Sequence, residues 1–205
     1  MKDSLFEEYM TGLFKDVPCY IYEGLLGVFV VGVIVLLVSK RIRDGWRWSA
    51  GLLLVEYVVL IYCSTVVFRV PGSETGHDFA PFWSYGAILR GENYRLLPEN
   101  VMNVAVFVPV GILLGAAFRS MTWWKALLIG GAMSVSIEVM QLMLKRGFAE
   151  VDDVMHNTVG CMIGYGIYKL FQVSWSRFHG KGSVERSLGV DFVDYQRDWA
   201  NSKQA

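Results

Sequence analysis

The chain has 205 residues, 54% hydrophobic and 14% aromatic, with equal numbers of acidic and basic side chains and no formal net charge. No basic excess marks a nucleic-acid partner, and three scattered cysteines mark neither a disulfide framework nor a zinc site. The apolar residues come in blocks of about 20, the length that crosses a bilayer core, which excludes an ordinary soluble domain. The expected fold is an all-α membrane protein with about five transmembrane helices. An N-terminal amphipathic helix and an interfacial loop or helix complete it.

Asp3 or Ser4 can cap the first short helix, with Glu7 completing a capping box. Leu5, Phe6, Tyr9, Met10, Leu13 and Phe14 fall on one face, suited to the membrane surface or to packing on the bundle. The amino-terminal segment lacks the basic region of a secretion signal, so the first apolar block is read as a retained helix. Span one runs from about Tyr20 to Val38, and a connector with Lys40, Arg41, Arg43 and Arg47 follows. Span two covers Trp48 to Val67 and carries Glu56, read as structural. A long aromatic loop, Phe68 to Asn100, comes next. Its Pro81 to Leu89 can form one short interfacial helix flanked by Phe79, Phe82, Trp83, Tyr85 and Tyr94. Loops of this length are often lids or binding loops.

Spans three, four and five cover Val101 to Phe118, Trp123 to Leu144 and Val154 to Val173. Residues 1–175 read as one transmembrane domain, motif-bearing over 77–173, and 176–205 as a polar tail. Cys19, Cys63 and Cys161 read as small buried apolar residues. Lys and Arg in the short loops place the N-terminus outside and the C-terminus in the cytoplasm of a plasma-membrane protein. This puts the aromatic loop and the connector Lys145 to Asp152 on the outer side.

Each of the last three spans carries small and polar residues at helical spacing. The stripes are Asn103, Phe107, Gly111, Gly115; then Gly130, Ser134, Glu138, Gln141; then Asp153, Asn157, Gly160, Gly164. At 1.5 Å per residue, Glu138 lies about 9 Å and Asn157 about 6 Å below the outer helix ends. Glu138, Gln141, Asn157 and Asn103 can therefore meet in the outer leaflet. Arg69, Arg95 and Arg146 are the cations near that level. A carboxyl group in a membrane-length run needs a partner or a role. Glu138 either glues the bundle or anchors a polar cavity, and the residues leave both readings open. Asp152 and His156 share a helical face, but two ligands do not make a metal site. No GxSxG, HExxH or P-loop is present, and no cofactor is expected.

The run Phe79 to Gly164 resembles the VanZ-like family of small bacterial membrane proteins. The matching pieces are Ala80-Pro81-Phe82, then Asn103-x3-Phe107-x-Pro109-x-Gly111. Glu138-x2-Gln141, Arg146, Asp152-Asp153 and Asn157-x2-Gly160-x3-Gly164 follow. Asp78 stands near the place of the Asn that usually precedes the Pro-Phe element. The family takes its name from a protein associated with low-level resistance to the glycopeptide teicoplanin, so the resemblance implies an envelope-facing role. It supplies no reaction.

Three functions compete. In the first, a non-enzymatic modulator binds a membrane lipid, a lipid-linked wall precursor or a glycopeptide. Asn103, Glu138, Gln141, Arg146, Asp152, Asp153, Asn157, Arg69 and Arg95 are its candidate binding residues. In the second, a membrane enzyme acts on lipid-linked envelope substrates, with Glu138 or Asp153 as acid or base and Arg146 or Arg95 holding phosphate. A transporter is the third; the absence of an internal repeat and of a polar series across the membrane counts against it.

Overall fold

A backbone amide surrounded by hydrocarbon has only its own chain to bond to, so the long apolar runs become helices. The structure is a computed structural model that describes residues 17–38, 45–69 and 76–179. Its elements are α1 (Cys19–Val38), α2 (Gly45–Tyr62) running into a π-helical turn (Cys63–Val67), β1 (Gly76–Asp78) and α3 (Trp83–Leu89). Then come α4 (Leu96–Ala117), α5 (Trp123–Leu144), β2 (Phe148–Glu150) and α6 (Val151–His179). The expected amphipathic segment at the N-terminus, Lys40, Arg41 and Arg43 of the first connector, and the tail beyond 179 lie outside the described residues.

Among the described residues, three helical stretches are long and apolar enough to cross a membrane: Gly45–Val67, Leu96–Ala117 and Trp123–Leu144. The first and fifth expected spans do not reach that measure among the described residues. The shorter apolar stretch Cys19–Gly32 lies in α1, and α6 opens on Asp152 and Asp153 and carries His156, Asn157 and Lys169. Large apolar side chains such as Leu26, Val55, Leu128, Val139, Met143 and Leu170 point outward. Lipid suits such a surface; water does not.

The boundaries follow local chemistry. α4 begins a turn earlier than expected, because Pro98 falls in its first turn, where a missing N–H costs nothing. Further on, Pro109 withholds an N–H in mid-helix, and the Tyr57 hydroxyl donates to the Val106 carbonyl beside it at 3.0 Å. α5 starts as expected at Trp123, after the N-cap Thr122, whose side chain accepts from the Lys125 amide. It stops at left-handed Lys145, with the Arg146 amide returning to the Gln141 carbonyl at 2.9 Å. The connector after it pairs β2 in parallel with β1, Gly76 facing Phe148, His77 facing Ala149 and Asp78 facing Glu150.

α6 is central: it packs along α4 and along α5. The small-residue stripes are why. A methyl group at Gly160 would collide with the Val104 carbonyl, one at Gly164 with the Val108 carbonyl, and one at Gly111 with the Cys161 carbonyl. Close backbone approach of this kind is how membrane helices gain contact without a hydrophobic driving force. Phe107, Val110, Ile61, Ala126, Cys161 and Tyr165 fill the interior. The Tyr165 hydroxyl donates to the Met121 carbonyl at 2.6 Å. Of the three free thiols, Cys161 is buried, Cys63 half-buried and Cys19 exposed, so the expectation of buried cysteines holds in full for Cys161 alone.

Candidate functional site

The end of the bundle where α2 and α5 finish and α4 and α6 begin gathers most of the polar side chains; it is called the connector end below. Helical phase decides how α6 divides its own. Asp152 and His156 share one face and turn to α3. Asp153, one residue on, turns to α4 and accepts from the Asn103 side-chain amide at 2.6 Å. Asn157 turns to α5 and donates to the Ser134 hydroxyl at 2.8 Å.

Asp152 is almost wholly buried. One oxygen accepts from the Phe82 amide at 2.5 Å, the other from the Ser84 amide at 3.0 Å and the Ser84 hydroxyl at 2.5 Å. The Asn100 amide donates to the same hydroxyl at 3.1 Å, so α3, α4 and α6 share one chain of bonds. This carboxylate caps α3 from a distant helix, a substitute for the cap its own Phe82 cannot supply. Four residues on, His156 Nε2 meets the Tyr85 hydroxyl at 2.8 Å. Its Nδ1 has no partner among the described residues.

Gln141 and Arg146 point the other way. The Gln141 amide donates to the Thr65 carbonyl at 3.0 Å, and Arg146 Nη1 donates to the Val66 carbonyl at 3.1 Å and also to the Val67 carbonyl. These are the last carbonyls of the π-turn, which otherwise end a helix unsatisfied. Gln141 is rotated about 60° from Glu138 around α5 at 100° per residue, enough to aim it at α2 and not at α6. Arg95 is exposed; its amide donates to the Asn93 side chain at 3.0 Å, and among the described residues its side chain forms no hydrogen bond or ion pair with the acids of α6.

Three carboxyl groups remain close to one another: Glu138, Asp153 and Glu150. Glu138 is buried, and one of its oxygens accepts from the Glu150 amide at 3.1 Å. Arg69 is the cation within electrostatic range of both Glu138 and Asp153. Its guanidinium lies over Gly147, where a Cβ would stand 3.0 Å from the guanidinium carbon and the backbone is left-handed in φ, so glycine suits both demands. Burial, and next the charge of Asp153, raise the Glu150 carboxyl to about 7. The Trp83 indole N–H faces this group without closing a hydrogen bond of ordinary geometry. No three His, Cys, Asp or Glu side chains among the described residues are arranged to hold a metal ion.

The expected quartet therefore splits. Glu138 and Asn103 border one acidic cluster through Glu150 and Asp153, while Asn157 joins α5 to α6 and Gln141 joins α5 to α2. Glu150, Ser84, Trp83 and Tyr85 were not singled out by chemistry in the sequence. Glu150 carried one weak signal, being an acid two residues before the Asp152-Asp153 pair.

A helical membrane protein with its polar groups concentrated at one end of the bundle is the class that fold and site define. The family model VanZ/LLP1 matches residues 25–172, and the chain belongs to that family. It is similar to Protein VanZ of Enterococcus faecium, 28% identical over 130 residues, covering 60% of this chain and 74% of that one. No solved structure matches.

Proposed function

We propose that this protein is a bacterial cell-envelope component whose polar connector end faces outward. There it binds an envelope lipid, a lipid-linked wall precursor or a glycopeptide antibiotic. The observation that carries the reading is the convergence of Glu138, Asp153 and Glu150, with Arg69 beside them, where burial makes unused acids costly. Asn103 orients Asp153, and the Glu150 amide orients Glu138, so two of the three acids are held before any ligand arrives. Asp152, Gln141, Arg146 and Asn157 support this cluster as frame. Arg95 takes the part of an outer cation, met by an approaching ligand before it reaches the acids. The glycopeptide option rests on what the family resemblance implies and on the likeness to Protein VanZ.

The test is binding of the purified chain to vesicles of envelope phospholipid, to a lipid-linked wall precursor and to teicoplanin, repeated with Glu138→Gln and Asp153→Asn. Binding of at least one ligand, weakened tenfold or more by either substitution in a protein that still melts cooperatively, is the expected result. No binding of any of them by the unsubstituted chain overturns the proposal.

A second reading is a membrane enzyme acting on lipid-linked envelope substrates. What favours it is the pairing of two acids, buried Glu138 and half-buried Asp153, in one cluster, since environment can set such groups apart as acid and base. Arg146 is occupied by carbonyls, so phosphate would fall to Arg69. Comparing lipids and wall precursors in cells with and without the protein separates the two readings.

A further inference from the structure

We infer that the corner formed by α3 and the start of α4 is sunk in the bilayer, its aromatic face lying at the headgroup–acyl boundary of the leaflet at the connector end. Ser84 and Ala87 of α3 are buried inward. The opposite side carries Phe79, Phe82, Tyr85, Leu89, Tyr94 and Leu97, all exposed, with Leu89 at 87% and Tyr94 at 71%.

Two further observations name the occupant. First, Phe82 is left-handed, φ 65°, a conformation a bulky side chain rarely adopts. Buried Asp152 holds its amide at 2.5 Å, and the strained residue projects a ring that is 58% exposed. Strain spent on pushing an aromatic ring outward is reasonable only if the surroundings there are apolar. Second, two of the charges at the tip of the corner, Arg90 and Glu92, are paired with each other. Arg90 Nε and Nη2 donate to the two Glu92 oxygens at 2.6 and 3.0 Å although both side chains are exposed. A bidentate pair of this kind suits a boundary of lowered dielectric. The face is also continuous with the outward surface of α4, where Leu97 and Val101 are exposed on a helix apolar enough to span the membrane. An exposed aromatic side chain with an apolar body and a polar tip, such as Tyr94, favours this depth.

The inference does not rest on the ligand-binding reading above. The test places the photoreactive residue p-benzoylphenylalanine at position 82, 89 or 87 of the full chain in vesicles of phosphatidylethanolamine and phosphatidylglycerol. Intact mass is read after irradiation. Positions 82 and 89 should each acquire the mass of one phospholipid, while buried position 87 crosslinks only within the protein. Position 89 is so exposed that its replacement leaves the fold undisturbed, which keeps the test valid if position 82 does not tolerate change. Absence of lipid adducts at both 82 and 89 overturns the inference. So do crosslinked dimers at those positions in place of lipid adducts, which would assign the face to a second copy of the chain.

Discussion

Asp152 ties three helices through one carboxylate. Its two oxygens accept from two backbone amides and one hydroxyl, with almost no exposure to solvent. Hydrogen bonds to a charged group contribute more than neutral ones, and donors left buried without a partner are costly. Asp152→Ala should therefore destabilise the protein by about 3 kcal/mol, and Asp152→Asn, which keeps the shape and one acceptor, by about half that. Thermal unfolding in detergent measures both; an alanine variant as stable as the parent would refute the capping role. Glu150 makes a different prediction. Its folded-state value is raised to about 7 from 4.5, chiefly by burial. Between those values the folded chain holds a proton that the unfolded chain has released, so stability falls as pH rises from about 4.5 to about 7 and levels above it. Glu150→Gln should flatten that part of the melting-temperature curve. Parallel curves for parent and variant would show that burial does not control this group. At this scale the sequence was only partly legible. Periodicity exposes Asp153 and Glu138 because they ride on regular helices, whereas Ser84, Trp83 and Glu150 sit on short elements whose direction no spacing rule supplies.

Glycine positions decide how the helices meet. Gly160 and Gly164 let α6 touch the backbone of α4, and a methyl at Gly160 would enter the Val104 carbonyl. Gly160→Ala should cost about 1–3 kcal/mol through overpacking, despite the better helix propensity of alanine. Gly131 is the control. A Cβ there meets nothing nearer than the Thr158 hydroxyl at 3.5 Å, so Gly131→Ala should be neutral or stabilising by up to about 1 kcal/mol. Melting temperatures of the two variants in one detergent check the contrast, and equal effects would disprove it. The π-turn Cys63–Val67 is an element-scale feature that hydropathy does not show. It ends span two, and its carbonyls are taken by Gln141 and Arg146 from α5. Two residues that look like ligands in the sequence are thus spent on joining helices, because a helix end near lipid must have its carbonyls satisfied.

At the scale of the molecule, the connector end unites β1, β2, α3 and the starts of α4 and α6, and the proposed function requires that end to face outward. Arginine and lysine in the short loops argue for that orientation. In protoplasts, with exposed Cys19 and half-buried Cys63 first replaced by alanine, a cysteine replacing exposed His77 should react with a membrane-impermeant maleimide, whereas one replacing exposed Ser120 at the other end should react only after permeabilisation. The reverse pattern would invert the molecule and with it the proposal. Hydropathy and spacing alone dictate a helical membrane protein, the ends of α5, the short helix before α4 and the small-residue seams. These depend on solvent and on helical period, both written in local sequence. Which acids become neighbours is another matter. A difference of one residue on α6 sends Asp152 to α3 and Asp153 to α4, and a 60° turn on α5 parts Gln141 from Glu138. Only the packing of α6 between α4 and α5, with the parallel pairing of two three-residue strands distant in the chain, brings Glu150 and Arg69 to the same acids.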